Sequence, residues 1–462
     1  MYVFAPMKTA PAEIASSMTG VTVPTEVMTP DVAPAIMEKI KRRGENYTIP
    51  QIDLSVEPKN TKEEFKYLYE NVTVEKKGGY LGHPDSVLLK DGSILVFFPE
   101  GHGKGKTLSK ISRDGGKSYT EEIKNPPKSW ENSRETPTVY RLEFSESDTP
   151  DKLIMISGNP IWGREKSRGG FDCSLSSDEG KTWSEYESFF TEKDEVTHYP
   201  IVALSSLTRL RENGKFVDKW MGLFHERDFV NYKTVLSFSK DGKMMWTKPE
   251  PYFSAYRDIE KRSQMCEVEC VRSDMGRGDE LMLITRSNSK RINSLLSFSR
   301  DEGKTWSRPV AAPASLNGER HKAEYLPDGR LFITFRSIER DLRKNLKYSE
   351  NKLRGWYSEG WVALVADYND LKNGGEGDYR IKVAHTYLDS QSEPCVAANA
   401  DTGYCGNVIL PDGTAVICSY GIFSVEEKKD GVYSTDKGRK KRRTYIISKR
   451  INVKDVEKLL GR

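Results

Sequence analysis

The chain alternates short apolar runs with Asp-Gly turns. Val87-Leu-Leu-Lys-Asp-Gly-Ser-Ile-Leu-Val-Phe-Phe98 reads as strand, tight hairpin and strand. The same pattern recurs at Tyr325-Leu-Pro-Asp-Gly-Arg-Leu-Phe-Ile-Thr-Phe335 and Val408-Ile-Leu-Pro-Asp-Gly-Thr-Ala-Val-Ile-Cys418. Looser copies at 138–156, 202–224 and 268–285 bring the number of strand–turn–strand units to six.

A second repeat follows four of these units. Its copies are Ser112-Arg-Asp-Gly-Gly-Lys-Ser-Tyr119, Ser176-Ser-Asp-Glu-Gly-Lys-Thr-Trp183, Ser239-Lys-Asp-Gly-Lys-Met-Met-Trp246 and Ser299-Arg-Asp-Glu-Gly-Lys-Thr-Trp306. Their starts are separated by 176 − 112 = 64, 239 − 176 = 63 and 299 − 239 = 60 residues. A period near 60 suits one four-stranded sheet per repeat, with Asp and Gly forming the turn and the aromatic filling the gap between neighbouring sheets. Six such sheets predict an all-β chain folded as a six-bladed β-propeller, an array whose closure leaves few exposed strand edges. Asn71-Val-Thr-Val74 is expected to close the ring against a late strand at 444–451.

The remainder is peripheral. Residues 1–70 read as an N-terminal extension with helices at 34–43 and 62–70, 71–452 as the propeller, and 453–462 as a C-terminal helix. The basic stretch 428–443 reads as a hairpin loop with a solvated tip.

Composition narrows the function. Lys+Arg 72 against Asp+Glu 68 gives +4, too balanced to call for a nucleic-acid partner. No apolar run is long enough to span a membrane and the first residues lack a secretory signal, so a cytoplasmic protein is expected. The six cysteines are expected as reduced thiols, and Cys266 and Cys270 lack a second pair for zinc; no metal or cofactor is expected.

The Ser-x-Asp-x-Gly-x-Thr-Trp turns resemble the Asp boxes of the sialidase superfamily, and the resemblance runs from about residue 74 to 451. It implies a tyrosine nucleophile paired with a glutamate, three arginines that hold a substrate carboxylate, and a loop aspartate as acid. Tyr404, in Asp401-Thr-Gly-Tyr-Cys-Gly-Asn407, matches the nucleophile. Glu267, in Cys266-Glu-Val-Glu-Cys270, matches its partner, and of Glu267 and Glu269 only the former is expected to face the channel. Arg286 matches the second arginine, and Arg320 is taken as the third. The first arginine has no counterpart: Gly82-His-Pro-Asp85 stands where the family has Arg-Ile-Pro. No loop aspartate follows, and Pro99-Glu-Gly-His-Gly-Lys-Gly105 occupies its place.

Propeller topology brings residues near first-strand starts and second-strand ends to one mouth of the central channel. Of the six histidines, His83, His102, His198, His225 and His321 map there, and His385 does not. So do Asp85, Arg134, Glu135, Arg227, Lys322 and Arg336. Such a mouth suits an anionic or polyhydroxyl sugar, and histidine can replace the aspartate as acid.

The reading is an exo-glycosidase acting on a terminal acidic or deoxy sugar of an oligosaccharide. Tyr404 is the expected nucleophile, Glu267 its base, His102 or Asp85 the acid, and Arg286 and Arg320 the clamp. The alternatives are a polysaccharide lyase acting on a uronate-containing glycan and a non-catalytic glycan-binding propeller. The oligomeric state is left open.

Overall fold

Both halves of the first hairpin form as expected: Asp85–Leu88 pairs antiparallel with Ile94–Pro99 across the Asp-Gly turn. In this computed structural model the described residues are 47–77, 79–101, 105–145, 149–161, 166–289, 292–339, 357–384, 402–423, 433–436, 439–442 and 444–462. The expected helix at 34–43, His385 and most of the basic stretch lie outside them. Within that stretch, Tyr433–Asp436 pairs with Arg439–Arg442 as a hairpin.

Six sheets follow one another around a ring, making a six-bladed β-propeller. Blade 1 is Asp85–Leu88, Ile94–Pro99 and Thr107–Ser112. Blade 2 is Thr138–Leu142, Lys152–Gly158, Gly169–Ser176 and Glu187–Thr191. Blade 3 begins with the long pair Ile201–Glu212 and Lys215–His225, followed by Asn231–Phe238 and Met244–Trp246. Blade 4 is Met265–Arg272, Leu281–Ser287, Leu295–Ser299 and Val310–Ala311.

Blade 5 is Gly318–Tyr325, Leu331–Glu339, Tyr357–Ala366 and Tyr379–Ala384. Gln51–Asp53 adds a parallel fifth strand to its outer edge, which periodicity did not reveal because three residues are too few to show alternation. Blade 6 is Gly406–Ile409, Thr414–Gly421 and Tyr445–Asn452, with Val72–Glu75 as its outermost strand. The ring is thus closed by the first and last propeller strands, Val72–Glu75 and Tyr445–Asn452, paired in one sheet, which ties ring opening to the loss of a strand ladder.

The apolar core lies between blades. Six clusters of buried side chains occupy the six blade boundaries, from Val87, Phe97 and Met155 between blades 1 and 2 to Ala415, Ile447 and Tyr379 between blades 5 and 6. At the last boundary the C-terminal helix Val453–Leu460 buries Val453 and Val456 against Phe65 and Leu68 of the short helix Glu63–Leu68. Asn452 caps the C-terminal helix through Lys454 N, and Gly461 ends it with a left-handed turn.

The Asp boxes join the third strand to the fourth, on the face opposite the mouth. Asp178 accepts from Ser176 Oγ (2.9 Å), Thr182 N (2.9 Å) and Thr182 Oγ1 (2.6 Å), and Asp301 does the same with Ser299 and Thr305. In the degenerate third copy Met245 replaces the threonine, and Asp241 accepts from Ser239 Oγ. The box glycine sits against the preceding blade: a Cβ on Gly180 would meet Leu95 at 2.8 Å, and one on Gly303 would meet Met221 at 2.5 Å. The box aromatic points the same way, with Trp183 edge-on to Phe97 (centroids 5.3 Å apart) and Trp246 edge-on to Phe171 (5.0 Å). The repeat therefore serves blade-to-blade packing.

Candidate active site

First strands of several blades open on an irregularity that alternation cannot anticipate. His83, Val202, Glu267 and Arg320 have φ of 47°, 50°, 50° and 54°, left-handed conformations that side-chain-bearing residues rarely adopt. In blades 3, 4 and 5 these residues coincide with register shifts between the first and second strands. A bulge re-aims the side chain it carries. Each such residue carries strain of about 1 kcal/mol or more that packing must offset.

Blades 4, 5 and 6 contribute five side chains that close into a ring. Tyr404 Oη donates to Glu267 Oε1 at 2.5 Å. Arg286 Nη1 donates to both carboxylate oxygens of Glu267 and to Tyr404 Oη, each at 2.8 Å. Its Nη2 donates to Asn288 Oδ1 at 2.7 Å and lies 3.1 Å from Glu319 Oε1. Glu319 Oε2 accepts from Arg336 Nε at 2.7 Å and also pairs with Arg336 Nη2. Arg336 returns to the start, its guanidinium 5.4 Å from the centroid of the Tyr404 ring.

The electrostatics follow from these contacts. Burial pushes the Glu267 carboxyl up, but the Arg286 charge and hydrogen bonds, the Tyr404 hydroxyl and the facing His225 outweigh it and hold it at about 2. Burial raises the Tyr404 phenol well above its usual range, and the Glu267 charge adds to this while Arg286 and Arg336 oppose it. The resting pair is therefore a neutral phenol on an ionised carboxylate. His225, beside Glu267, is pushed down to about 4 by burial and is neutral near pH 7.

The predicted residues divide into three sets. Tyr404, Glu267, Arg286 and Arg336 meet in the ring, with His83 edge-on to Tyr404 (centroids 4.7 Å apart) and its Nε2 3.2 Å from Tyr420 Oη. A second set lies one step deeper along the first strands. Lys322 Nζ is 3.4 Å from Asp85 Oδ1, and Asp85 also accepts from the amides of Ser86 and Val139, each at 3.0 Å. Arg320 Nη1 donates to the Ser205 carbonyl at 2.9 Å, away from the ring, with the Glu269 and Asp85 charges nearby. Glu269, expected to face away from the channel, is buried in this layer and accepts from Ala323 N at 3.0 Å. Residues two apart on a strand share a face, so both glutamates turn inward, and the bulge at Glu267 separates their depths.

The third set is held elsewhere. His321 Nε2 contacts the Leu316 carbonyl at 2.9 Å and its ring packs on Phe335, inside the blade 4–blade 5 core. His198 Nδ1 is 2.9 Å from Glu226 Oε1 and its ring packs on Tyr232. Glu135 accepts from Thr136 N and Oγ1 at 2.8 Å, and exposed Arg134 donates to the Lys166 carbonyl at 3.1 Å. Arg227 lines a shallow cavity with Tyr199, Glu226 and Asp228. His102 lies outside the described residues. Among the described residues no three His, Cys, Asp or Glu side chains converge as a metal-binding group.

Glu319, not its neighbour Arg320, is the first-strand residue of blade 5 that joins the ring, and sequence pattern does not single it out. Register decides between them: Glu319 lies directly across from Arg336, whereas Arg320 sits in the bulge. Asn288 and Tyr420 were missed too, and only their contacts with Arg286 and His83 reveal them.

Residues 132–364 match the BNR repeat-like domain family, and the chain belongs to that family and to the sialidase superfamily whose repeat it carries. No curated protein matches the chain. Among solved structures it is similar to a protein of unknown function from Dyadobacter fermentans DSM 18053, at TM-score 0.50 and 14% identity over 82% of this chain and 97% of that one. It is also similar to the intramolecular trans-sialidase from Ruminococcus gnavus, at TM-score 0.49 and 11% identity over 82% of this chain and 96% of that one. An α-L-arabinofuranosidase from Fusarium graminearum matches at TM-score 0.35 and 11% identity, over 84% of this chain and 98% of that one.

Proposed function

We propose that the protein is an exo-acting glycoside hydrolase that removes a terminal acidic or deoxy sugar from an oligosaccharide. The observation that carries this reading is the 2.5 Å hydrogen bond from Tyr404 Oη to Glu267 Oε1, buried and oriented by Arg286. A merely glycan-binding propeller has no need to bury a phenol on an ionised carboxylate, since each buried charge costs several kcal/mol unless paired.

In this mechanism Tyr404 Oη attacks the anomeric carbon while the bond from that carbon to the leaving oxygen breaks. The phenolic proton passes to Glu267, and the leaving oxygen takes a proton from the acid. Water then attacks the anomeric carbon, breaks its bond to Tyr404, and gives a proton to the conjugate base of that acid. The phenolate leaving group regains its proton from Glu267. We assign the acid to His102, because both carboxylate oxygens of Asp85 are engaged by Lys322 and backbone amides.

The test is release of a monosaccharide from an oligosaccharide panel by the full chain. Reducing-end assay and mass spectrometry should show a free terminal sugar with one water added. A product absorbing in the ultraviolet through a new conjugated double bond would identify a lyase instead. Binding without turnover across the panel would overturn the enzymatic reading.

A further inference from the structure

Resting on the hydrolase reading, we infer that the sugar held against Tyr404 is uncharged, a neutral or deoxy glycosyl unit with no carboxylate. The argument is charge balance. Among the described residues the ring supplies two cations, Arg286 and Arg336, and two carboxylates, Glu267 and Glu319, so that 2 − 2 = 0.

Both guanidinium groups already hold carboxylates. Arg286 spans Glu267 and Glu319, with Tyr404 and Asn288 as further acceptors, and Arg336 is paired with Glu319 through Nε and Nη2. In the deeper layer Lys322 lies on Asp85 and the Arg320 charge faces Glu269, Asp85 and Glu267, while Glu324, beside Lys322, adds a further carboxyl that burial pushes up to about 7. The facing histidine, His225, stays neutral near pH 7 because it is buried. Arg227, outside the ring, shares its cavity with Glu226 and Asp228.

An entering carboxylate would therefore face Glu267 and Glu319 as closely as the arginines. To gain an arginine it would have to displace one of them and leave a buried carboxylate uncompensated. A hydroxyl group meets no such penalty, because it donates to a carboxylate and accepts from a guanidinium at once.

The test uses the full chain and two matched series of 4-nitrophenyl glycosides, each with both anomers. One comprises neutral hexosides, pentosides and 6-deoxyhexosides; the other comprises the uronides of the same hexoses and an N-acetylneuraminide. The best neutral compound should exceed the best carboxylate compound in kcat/KM by at least about tenfold, the ratio set by about 1.4 kcal/mol. The reverse order overturns the inference and leaves the hydrolase reading intact.

If neither series is turned over, the hydrolase reading fails, and saturation-transfer NMR of the same compounds then tests the inference alone. Binding confined to the neutral series supports it. Binding led by the carboxylate series, or absent from both, overturns it. In Glu319→Gln the neutral-to-carboxylate ratio should fall by at least about tenfold, and in Arg336→Gln it should rise. A ratio unmoved in Glu319→Gln overturns charge balance as the selecting device, and a ratio survives partial loss of folded protein.

Discussion

Glu267 reaches Tyr404 from a left-handed backbone: φ is 50° at the glutamate whose Oε1 lies 2.5 Å from the tyrosine hydroxyl. The strain sits at the residue that the proposed chemistry most needs. The bulge sends Glu267 toward Tyr404 and leaves Glu269, two residues on, in the layer of Lys322 and Asp85.

The pair should act as one unit. Tyr404→Phe and Glu267→Gln are each expected to lower kcat by about 10²–10⁴-fold on any glycoside the wild type cleaves. The double variant should be little worse than either single one, because the second substitution removes a group already idle. Full turnover in Tyr404→Phe would falsify the nucleophilic role.

Gly403 fixes where Tyr404 begins. Its φ is 84°, and an added Cβ would lie 2.6–2.8 Å from Cβ, Cα and N of Arg336. Gly403→Ala should cost about 1–3 kcal/mol from backbone strain and overpacking. It should also depress kcat by moving Tyr404 away from Glu267. A melting temperature and turnover equal to wild type would contradict this.

The Asp boxes separate stability from chemistry. Asp301→Ala removes the acceptor for Ser299 Oγ, Thr305 N and Thr305 Oγ1, and should cost about 1–3 kcal/mol in urea unfolding. Asp241→Ala, in the copy without the threonine, should cost about 0.5–1 kcal/mol. Neither should change kcat, since both lie on the face opposite the mouth.

Acid should weaken the fold in two stages. His225 and His321 are pushed from 6.5 to about 4 by burial, so below pH 6.5 the unfolded chain takes up protons that the folded chain refuses. Stability should therefore fall as pH drops from 6.5 to 4. Glu267, held at about 2 against an ordinary 4.5, adds stability above pH 4.5 that is lost as pH falls toward 2. Urea midpoints measured from pH 7 to 4 should decline, and His321→Gln should flatten part of that decline. An unchanged slope in His321→Gln would count against burial of a neutral ring as the cause.

Much of the fold was legible because propeller signals are local. Each Asp-Gly hairpin and each Asp box is completed within about a dozen residues, so apolar runs and turn chemistry reveal it without knowledge of distant partners. The closing strand at Val72–Glu75 could be placed because six blades require one more strand to seal the ring. The family resemblance points to Tyr404, Glu267 and Arg286, and the end of a second strand points to Arg336; these four side chains meet in the ring.

Four of the six histidines lie among the described residues, and they show where position along the chain stops being informative. His83 and His225 stand at the ring, while His198 is held by Glu226 and His321 turns into the core. Topological equivalence says which mouth a residue is near, but not which way its side chain turns. Bulges at Glu267 and Arg320 change that direction without a mark in the sequence, because nothing in a side chain requires φ near 50°.

The sequence alone thus determined blade number, closure and the superfamily, since these depend on repeated local patterns. The tertiary structure decided which charges meet. Arg320 was the expected clamp, yet Arg336 completes the ring, because strand register sets Glu319 across from Arg336 and the bulge carries Arg320 to the Ser205 carbonyl. Whether an arginine is free to hold a ligand depends on the carboxylate folded against it, and that pairing between distant strands exists only once the blades have closed.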